Sequence, residues 1–149
     1  MPQFAENKKA YFDYDVLEKF EAGMILTGQE VKSIRSGRIN LAGSYIILKD
    51  GEAFLLNAQI PPYQPKNASP DYDPSRLRKL LLHKSEIKYL IGKAQEKRLT
   101  LMPLRVYTKK GKIKLEFGLG KGRKKASKKE LLKKRDVERE IAIELKARG

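Results

Sequence analysis

Residues 99–120, LTLMPLRVYTKKGKIKLEFGLG, predict a β-hairpin. Two apolar runs flank Lys109, Lys110 and Gly111, and a glycine between two strands permits the backbone conformation that a tight turn requires. Because proline lacks the amide hydrogen that a sheet uses, we expect Pro103 at a strand edge or a bulge. This stretch therefore predicts an antiparallel sheet.

Residues 45–58, YIILKDGEAFLLNA, predict a second hairpin. Its two apolar runs are separated by a turn containing Asp50 and Gly51, a pair that favours positive backbone dihedrals. Residues 9–20 alternate between apolar and polar side chains, which predicts one further strand. The sequence thus indicates a sheet of at least five strands.

Two helices and one long loop are predicted between the strands. In residues 27–38, Thr27 and Glu30 have the spacing of a capping box, and we expect the helix to end near Gly37. Residues 83–98 predict a second helix, whose buried face has helical spacing. That face consists of Ile87, Leu90, Ile91 and Ala94. Residues 61–74 contain five of the seven prolines and predict a surface loop.

This arrangement predicts a mainly β protein, a small antiparallel barrel of the oligonucleotide-binding (OB) kind with two or three short helices. Such a barrel would remove exposed sheet edges by closing, and a flat α+β sheet is the alternative. A chain of 149 residues suits one core with an appendage. We therefore expect a barrel domain over residues 1–120 and a basic C-terminal tail over residues 121–149.

The charge indicates a polyanionic partner. Thirty-three Lys and Arg against eighteen Asp and Glu give a net charge of +15, a field that attracts nucleic acid or an anionic membrane. The N-terminus lacks the apolar segment of a secretory signal, and no apolar run is long enough to cross a bilayer. We therefore expect a cytoplasmic protein without a membrane partner.

The residues that could carry chemistry predict neither an enzyme nor a metal or cofactor site. His83 is the sole histidine and has no serine or cysteine nucleophile in a recognisable setting, which favours a helix start or an RNA-facing position. The absence of cysteine leaves only carboxylates such as Asp71 and Asp73 as metal ligands, and turn formation explains these better. The glycines at 118, 120 and 122 match no nucleotide-binding loop and predict a flexible exit from the last strand.

Two basic clusters are candidates for RNA binding. In residues 76–84, RLRKLLLHK, cations can neutralise phosphates while leucines contact splayed bases, although a solvated sheet rim is an equal alternative. Lys32 and Arg35 lie three residues apart on the first predicted helix, a spacing that suits a phosphate track or plain solvation.

The C-terminal tail is the most basic segment. Residues 121–135 hold nine Lys or Arg and one acid, so self-repulsion should keep the free segment extended and disordered. Ser127 and Glu130 nevertheless have capping-box spacing, which predicts a helix once a polyanion neutralises the charge. A membrane-surface helix is the alternative, but the tail has neither Trp nor Phe for it.

Several long strings occur in order along the chain. They include NKKAYFDY at 7–14, FEAGMILTGQEVKSIRSGRINL at 20–41, PSRLRKLLLHKSEI at 74–87 and KLEFGLGKGRKK at 114–125. With these strings, residues 7–135 resemble the SmpB family, the SsrA-binding proteins of bacterial ribosome rescue. The resemblance implies an OB-like barrel, in agreement with the pattern of strands.

The resemblance also implies a function. It implies a non-enzymatic adaptor that binds the tRNA-like domain of transfer-messenger RNA (tmRNA) and delivers it to stalled ribosomes for trans-translation, in which the nascent peptide is tagged. The implied partners are tmRNA, the ribosomal A site and mRNA channel, and indirectly elongation factor Tu and alanyl-tRNA synthetase, with the protein acting as a monomer. A general ribosomal or RNA-chaperone protein is the alternative.

Particular residues follow from the matching motifs. Asn7, Glu21 and Leu81 fall on positions linked with RNA binding, and Lys32, Arg35, Arg78 and Lys79 are expected to contact the RNA backbone. In the tail, the implied ribosome contacts are Lys121, Gly122, Arg123, Lys124, Lys128, Lys129 and Arg135. The family's usual acid before two basic residues is replaced here by Ser127, and the preceding position, often aromatic or His, by Ala126. We expect the tail to become helical on the ribosome.

Overall fold

One antiparallel sheet of seven strands forms the body of the protein, as a computed structural model describes it for residues 3–96 and 99–123. The sheet order is β1-β6-β7-β2-β5-β4-β3. The elements along the chain are β1 (Gln3–Glu6), α1 (Lys8–Asp13), β2 (Tyr14–Met24), α2 (Gly28–Arg35), β3 (Tyr45–Lys49), β4 (Glu52–Leu56), a 3₁₀ turn (Pro65–Asn67), β5 (Arg78–Leu81), α3 (Lys84–Ala94), β6 (Leu99–Lys109) and β7 (Lys112–Gly122). The predicted mainly β class with short helices is confirmed.

Both predicted hairpins are present. Their turns place Asp50 and Gly51 at φ of 53° and 73°, and Lys110 and Gly111 at 51° and 77°, the left-handed region that tight hairpin turns use. The register between β6 and β7 shifts between Pro103 and Arg105. The proline therefore lies at a bulge, as its missing amide hydrogen predicts.

The sheet curls like a barrel, but the described strands do not close into one. β3 packs against β6, yet the two strands form no ladder. The reason is that β1 pairs with β6 at residues 105–107 and so occupies part of the edge that closure would need. The expectation of a closed barrel is therefore corrected to an open, OB-like curl. A cleft of 370 Å³ marks the seam between β3, β6 and α1.

The predicted strand over residues 9–20 is wrong in its first half, where the chain forms α1. The Asn7 side chain accepts a hydrogen bond from the Ala10 amide at 3.3 Å and so caps this helix. Ala10 packs with Met102 and Leu104 in a small apolar cluster. Local capping and this packing outweigh the alternating pattern, and β2 begins only at Tyr14.

The helix predictions are confirmed with one change. Thr27 and Glu30 form both capping-box hydrogen bonds of α2, at 3.2 and 2.9 Å, and the chain turns at Gly37 with φ of 78°. In α3 only Leu90 is fully buried, while Ile91 is 37% exposed. The buried face is narrower than predicted because α3 packs mainly on one strand, β6. No helix among the described residues is long and apolar enough to cross a membrane.

The last strand is more closely packed than predicted. Gly118 and Gly120 are buried within β7, and a Cβ at Gly120 would lie 2.6 Å from the Asp15 carbonyl oxygen, so these glycines permit close packing and do not form a flexible exit. β7 continues to Gly122, two residues beyond the predicted domain end. The Arg123 amide then donates to the Asp13 carbonyl at 2.8 Å.

The predicted tail helix and its cap at Ser127 and Glu130 lie outside the described residues. The same holds for Lys124, Lys128, Lys129 and Arg135, and for Ala126. The division of the chain into a barrel domain and a tail stays a prediction.

Candidate nucleic-acid interface

A cleft of 580 Å³ opens where β2, β5, β7 and the start of α3 meet. We call it the β2–β5 cleft. Three of the predicted RNA-binding residues line it together, namely Glu21, Lys79 and Leu81. His83, Lys84 and Lys114 also line it. The lining also includes Glu52 and Glu86, so three lysines, three glutamates and exposed apolar surface are combined in one concave site.

Leu81 gives the cleft its apolar surface. Side chains alternate along β5, so Arg78 and Leu80 point inward and are buried, whereas Leu81 is 52% exposed. Leu81 pairs with Gly23 of β2, and the Cβ position of Gly23 lies 3.4 Å from the Leu81 side chain. Because Gly23 has no side chain, it does not cover Leu81, and the leucine stays accessible from the solvent side of the sheet.

Glu21 is a fixed anion in this cleft. The Tyr107 hydroxyl donates to one carboxylate oxygen of Glu21, and Lys109 Nζ lies 3.4 Å from the other. The hydrogen bond from Tyr107 lowers the pKa of Glu21 most, and the charges of Lys109 and Lys114 add to it, so the pKa stays below its usual range despite partial burial. Glu21 therefore stays ionised, pairs with Lys109 and can accept hydrogen bonds.

The lysines of the cleft differ in whether they form an ion pair within the protein. Lys79 Nζ lies 2.9 Å from Glu52 Oε1, in a pair whose two side chains are both over 40% exposed. Such a pair contributes little and can yield to a phosphate. Lys84 belongs to the basic stretch 76–84 that the sequence predicts to neutralise phosphates, whereas Lys114 is not among the predicted binding residues. Lys114 lies directly across from Gly23, which only the β2–β7 register reveals.

The predicted phosphate contact of Arg78 is corrected by its burial. Its side chain is 0% exposed, and Arg78 Nη2 lies 2.6 Å from Glu30 Oε2. The guanidinium also donates to the carbonyl oxygens of Ala58 at 2.7 Å and Pro74 at 3.0 Å. Because β5 turns this residue inward, Arg78 fastens the inner side of the strand that carries Leu81.

Arg76 extends this ion cluster from the buried Glu30 to the surface, because the Arg76 side chain is 39% exposed. Arg76 Nη2 donates to Glu30 Oε1 at 2.6 Å. Burial raises the pKa of Glu30, but hydrogen bonds from Arg76, the Thr27 amide and Arg78 outweigh it and hold the pKa below its usual range. The carboxylate thus joins α2 to β5 as a buried ion.

The remaining predicted RNA contacts lie outside the cleft. Asn7 is buried at the seam, where its Nδ2 donates to the Pro103 carbonyl at 2.9 Å. Lys32 is exposed on α2, and Arg35 Nη2 on the same helix donates to the Gly111 carbonyl at 2.9 Å, which fastens the β6–β7 turn. The RNA-binding roles of Asn7, Lys32 and Arg35 stay predictions.

The start of the predicted tail belongs to the sheet. Lys121 pairs with Asp15 and Leu99, and Gly122 pairs with Tyr14. Arg123 Nε donates to the Tyr11 carbonyl at 3.4 Å. These three residues therefore set where the tail leaves the sheet, and their contacts with the ribosome stay predictions.

The residues considered for catalysis or metal binding have local roles. His83 occupies the N-cap of α3, and its amide donates to Glu86 Oε1 at 3.1 Å, which confirms the predicted helix start. Asp73 accepts from both the amide and the hydroxyl of Ser75 at 3.0 Å, as turn formation requires. Within residues 3–96 and 99–123, no group of three or more His, Cys, Asp or Glu could hold a metal ion.

The fold defines a barrel-like β protein, and its β2–β5 cleft places lysines beside an exposed leucine. The family model described as "SmpB protein" matches residues 4–147, so this chain belongs to the SmpB family.

Individual relatives agree with this membership. An "SsrA-binding protein" of Sulfurihydrogenibium sp. (strain YO3AOP1) is 54% identical over 97% of this chain and 94% of its own length. One from Geotalea uraniireducens is 52% identical, covering 96% and 94%. A solved structure described as "tmRNA-SmpB: a journey to the center of the bacterial ribosome" contains a chain that is 45% identical, with a TM-score of 0.68 over 84% of this chain and 87% of that one.

Proposed function

We propose that the protein is an RNA-binding adaptor of trans-translation, which binds the tRNA-like domain of tmRNA and delivers it to stalled ribosomes for tagging of the nascent peptide. Family membership and relatives named for SsrA binding support this proposal. The structural observation that carries it is Leu81, half-exposed beside Lys79 and Lys114 in one cleft.

The cleft can recognise folded RNA by three different contacts. Leu81 offers apolar contact to a base that is splayed out of a helix. Lys79, Lys84 and Lys114 can contact phosphates, and each phosphate neutralised in a single strand adds about −0.7 to the slope of log K against log salt. Glu21 repels phosphate and accepts hydrogen bonds, so it favours a base or ribose edge at its own position.

The wider assembly follows from this function. The adaptor supplies contacts and shape and catalyses no covalent step, so alanyl-tRNA synthetase and elongation factor Tu act on the bound RNA. The protein acts as a monomer in the cytoplasm, bound in the ribosomal A site. The basic tail, with Lys124, Lys128, Lys129 and Arg135, enters the empty mRNA channel, and Lys121, Gly122 and Arg123 direct it there.

Competition between two RNAs tests the function. We expect the purified protein to bind the tRNA-like domain at least about tenfold more tightly than an unrelated hairpin of equal length at the same moderate salt. The comparison at one salt concentration is essential, because a charge of +15 alone attracts both RNAs. Equal affinities would favour the alternative, a general ribosomal or RNA-chaperone protein.

A further inference from the structure

Away from the β2–β5 cleft and the seam cleft, another concave surface lies on the long loop that follows β4. Its volume is 490 Å³, within the range of about 300–1,000 Å³ typical of ligand pockets. The lining residues are Arg38, Tyr63, Gln64, Pro65, Lys66 and Asn67. We call it the Tyr63 pocket, and none of the predicted RNA-binding residues belongs to it.

Tyr63 presents an aromatic surface there. Its side chain is 38% exposed, and it belongs to neither apolar core cluster. Arg38 Nη1 donates to the Tyr63 carbonyl oxygen at 3.1 Å, which holds the backbone of this residue against the end of α2. The backbone of Tyr63 is therefore held in place, while its ring belongs to no core cluster and is available to a ligand.

The pocket is also prearranged. The Asn67 amide donates to the Gln64 carbonyl at 2.9 Å, and Pro65 begins a 3₁₀ turn, so the loop has little freedom to lose on binding. Asn67 Nδ2 donates to Gln64 Oε1 at 3.0 Å. Among the described residues no partner engages Gln64 Nε2 or Asn67 Oδ1, which leaves one donor and one acceptor for a base edge.

The positive charge of the Tyr63 pocket favours an anionic ligand. Arg38 and Lys66 are the charged residues of the lining, and both are cations. The second half of the same loop is different, since Asp71 and Asp73 line another cleft with Glu30. The half of the loop that carries Tyr63 is therefore basic, whereas the half that carries Asp71 and Asp73 contributes acids to its cleft.

We propose that the Tyr63 pocket binds an unpaired RNA nucleotide, with the base stacked on Tyr63, its edge read by Gln64 and Asn67, and its phosphates held by Arg38 and Lys66. Aromatic stacking with flanking cations is how proteins bind single strands without reading a fixed sequence. This contact is separate from the β2–β5 cleft, so the protein has a second RNA-binding surface.

Fluorescence of a single tryptophan tests the proposal, because the chain has no natural Trp. In full-length Tyr63→Trp, we expect a single-stranded oligoadenylate of about six nucleotides to quench the tryptophan to saturation. A blunt RNA duplex, whose bases are paired and stacked, should not quench it. Adding Lys66→Ala should weaken binding and reduce the salt slope by about 0.7.

Tyr89→Trp is the matched control. Tyr89 is 41% exposed, close to the 38% of Tyr63, but its hydroxyl donates to Glu18 Oε1 at 2.6 Å and Lys93 Nζ already lies over its ring, 5.8 Å from the ring centroid. We expect no saturable quenching there. Equal quenching in the two variants, equal quenching by the duplex, or no quenching in Tyr63→Trp would each overturn the proposal, and none of these results bears on tmRNA binding by the cleft.

Discussion

The two faces of strand β5 carry the same residue types and serve opposite purposes. On the inner face, Arg78 is paired with Glu30 and Leu80 is buried in the core. On the outer face, Lys79 is partly exposed and Leu81 is 52% exposed in the β2–β5 cleft. Because side chains alternate along a strand, one of two adjacent basic residues can be buried and structural while the other is exposed on the opposite face.

The largest effect should come from breaking the inner face. We expect Arg78→Met to lower the free energy of unfolding by about 3–5 kcal/mol, because Glu30 would lose a buried partner. Lys79→Met, one residue along, removes an exposed pair and should cost at most about 1 kcal/mol. Urea unfolding at neutral pH measures both. Equal losses in the two variants would contradict the assignment of Arg78 to the interior.

The contribution of the same ion cluster to stability should depend on pH. The pKa of Glu30 is lowered in the folded state, so its stabilising contribution is present above the ordinary value of 4.5 and is lost as pH falls through the folded pKa. Glu30→Gln should therefore be much less stable than the natural protein at pH 7, and the difference should shrink below pH 4.5. Thermal unfolding across this range checks it; a constant difference would count against a buried carboxylate.

The end of β7 gives a smaller effect. A chain ending at Arg123 keeps the pairing of Lys121 with Asp15 and the hydrogen bond from the Arg123 amide to the Asp13 carbonyl. A chain ending at Gly120 loses both, and we expect it to be about 1–2 kcal/mol less stable, at about 1 kcal/mol for each hydrogen bond lost. Equal stability of the two chains would show that the sheet ends at residue 120.

On the outer face, the smallest expected effect concerns salt. Lys79→Ala should reduce the slope of log K against log salt for the tRNA-like domain by about 0.7, the contribution of one phosphate. Binding measured over a series of salt concentrations gives this slope. An unchanged slope would mean that Lys79 stays with Glu52 in the complex.

Much of this architecture could be predicted from local signals. The hairpin turns at Asp50 and Gly51, the capping box of Thr27 and Glu30 and the bulge at Pro103 depend on neighbouring residues, and all are present. The strand prediction is wrong over residues 9–13, because a side-chain cap and packing against residues distant in sequence override the alternating pattern there. Closure failed for a similar reason, since β1 takes part of the edge of β6.

The cleft was predictable only in part. Leu81 and Lys79 stand in one conspicuous basic stretch, and Glu21 came from the family motif. Arg78 could not be assigned to the interior from a stretch so basic, because its buried partner Glu30 is 48 residues away. Lys114 required the register that places it across from Gly23.

The most direct test of the central claim compares two exposed leucines. Leu81 and Leu17 are 52% and 50% exposed, but only Leu81 lines the β2–β5 cleft. We expect Leu81→Ala to weaken binding of the tRNA-like domain about tenfold, within the range of one apolar or stacking contact, with unfolding unchanged. Leu17→Ala should bind as the natural protein does. Equal affinities of the two variants would contradict recognition of the RNA by this cleft.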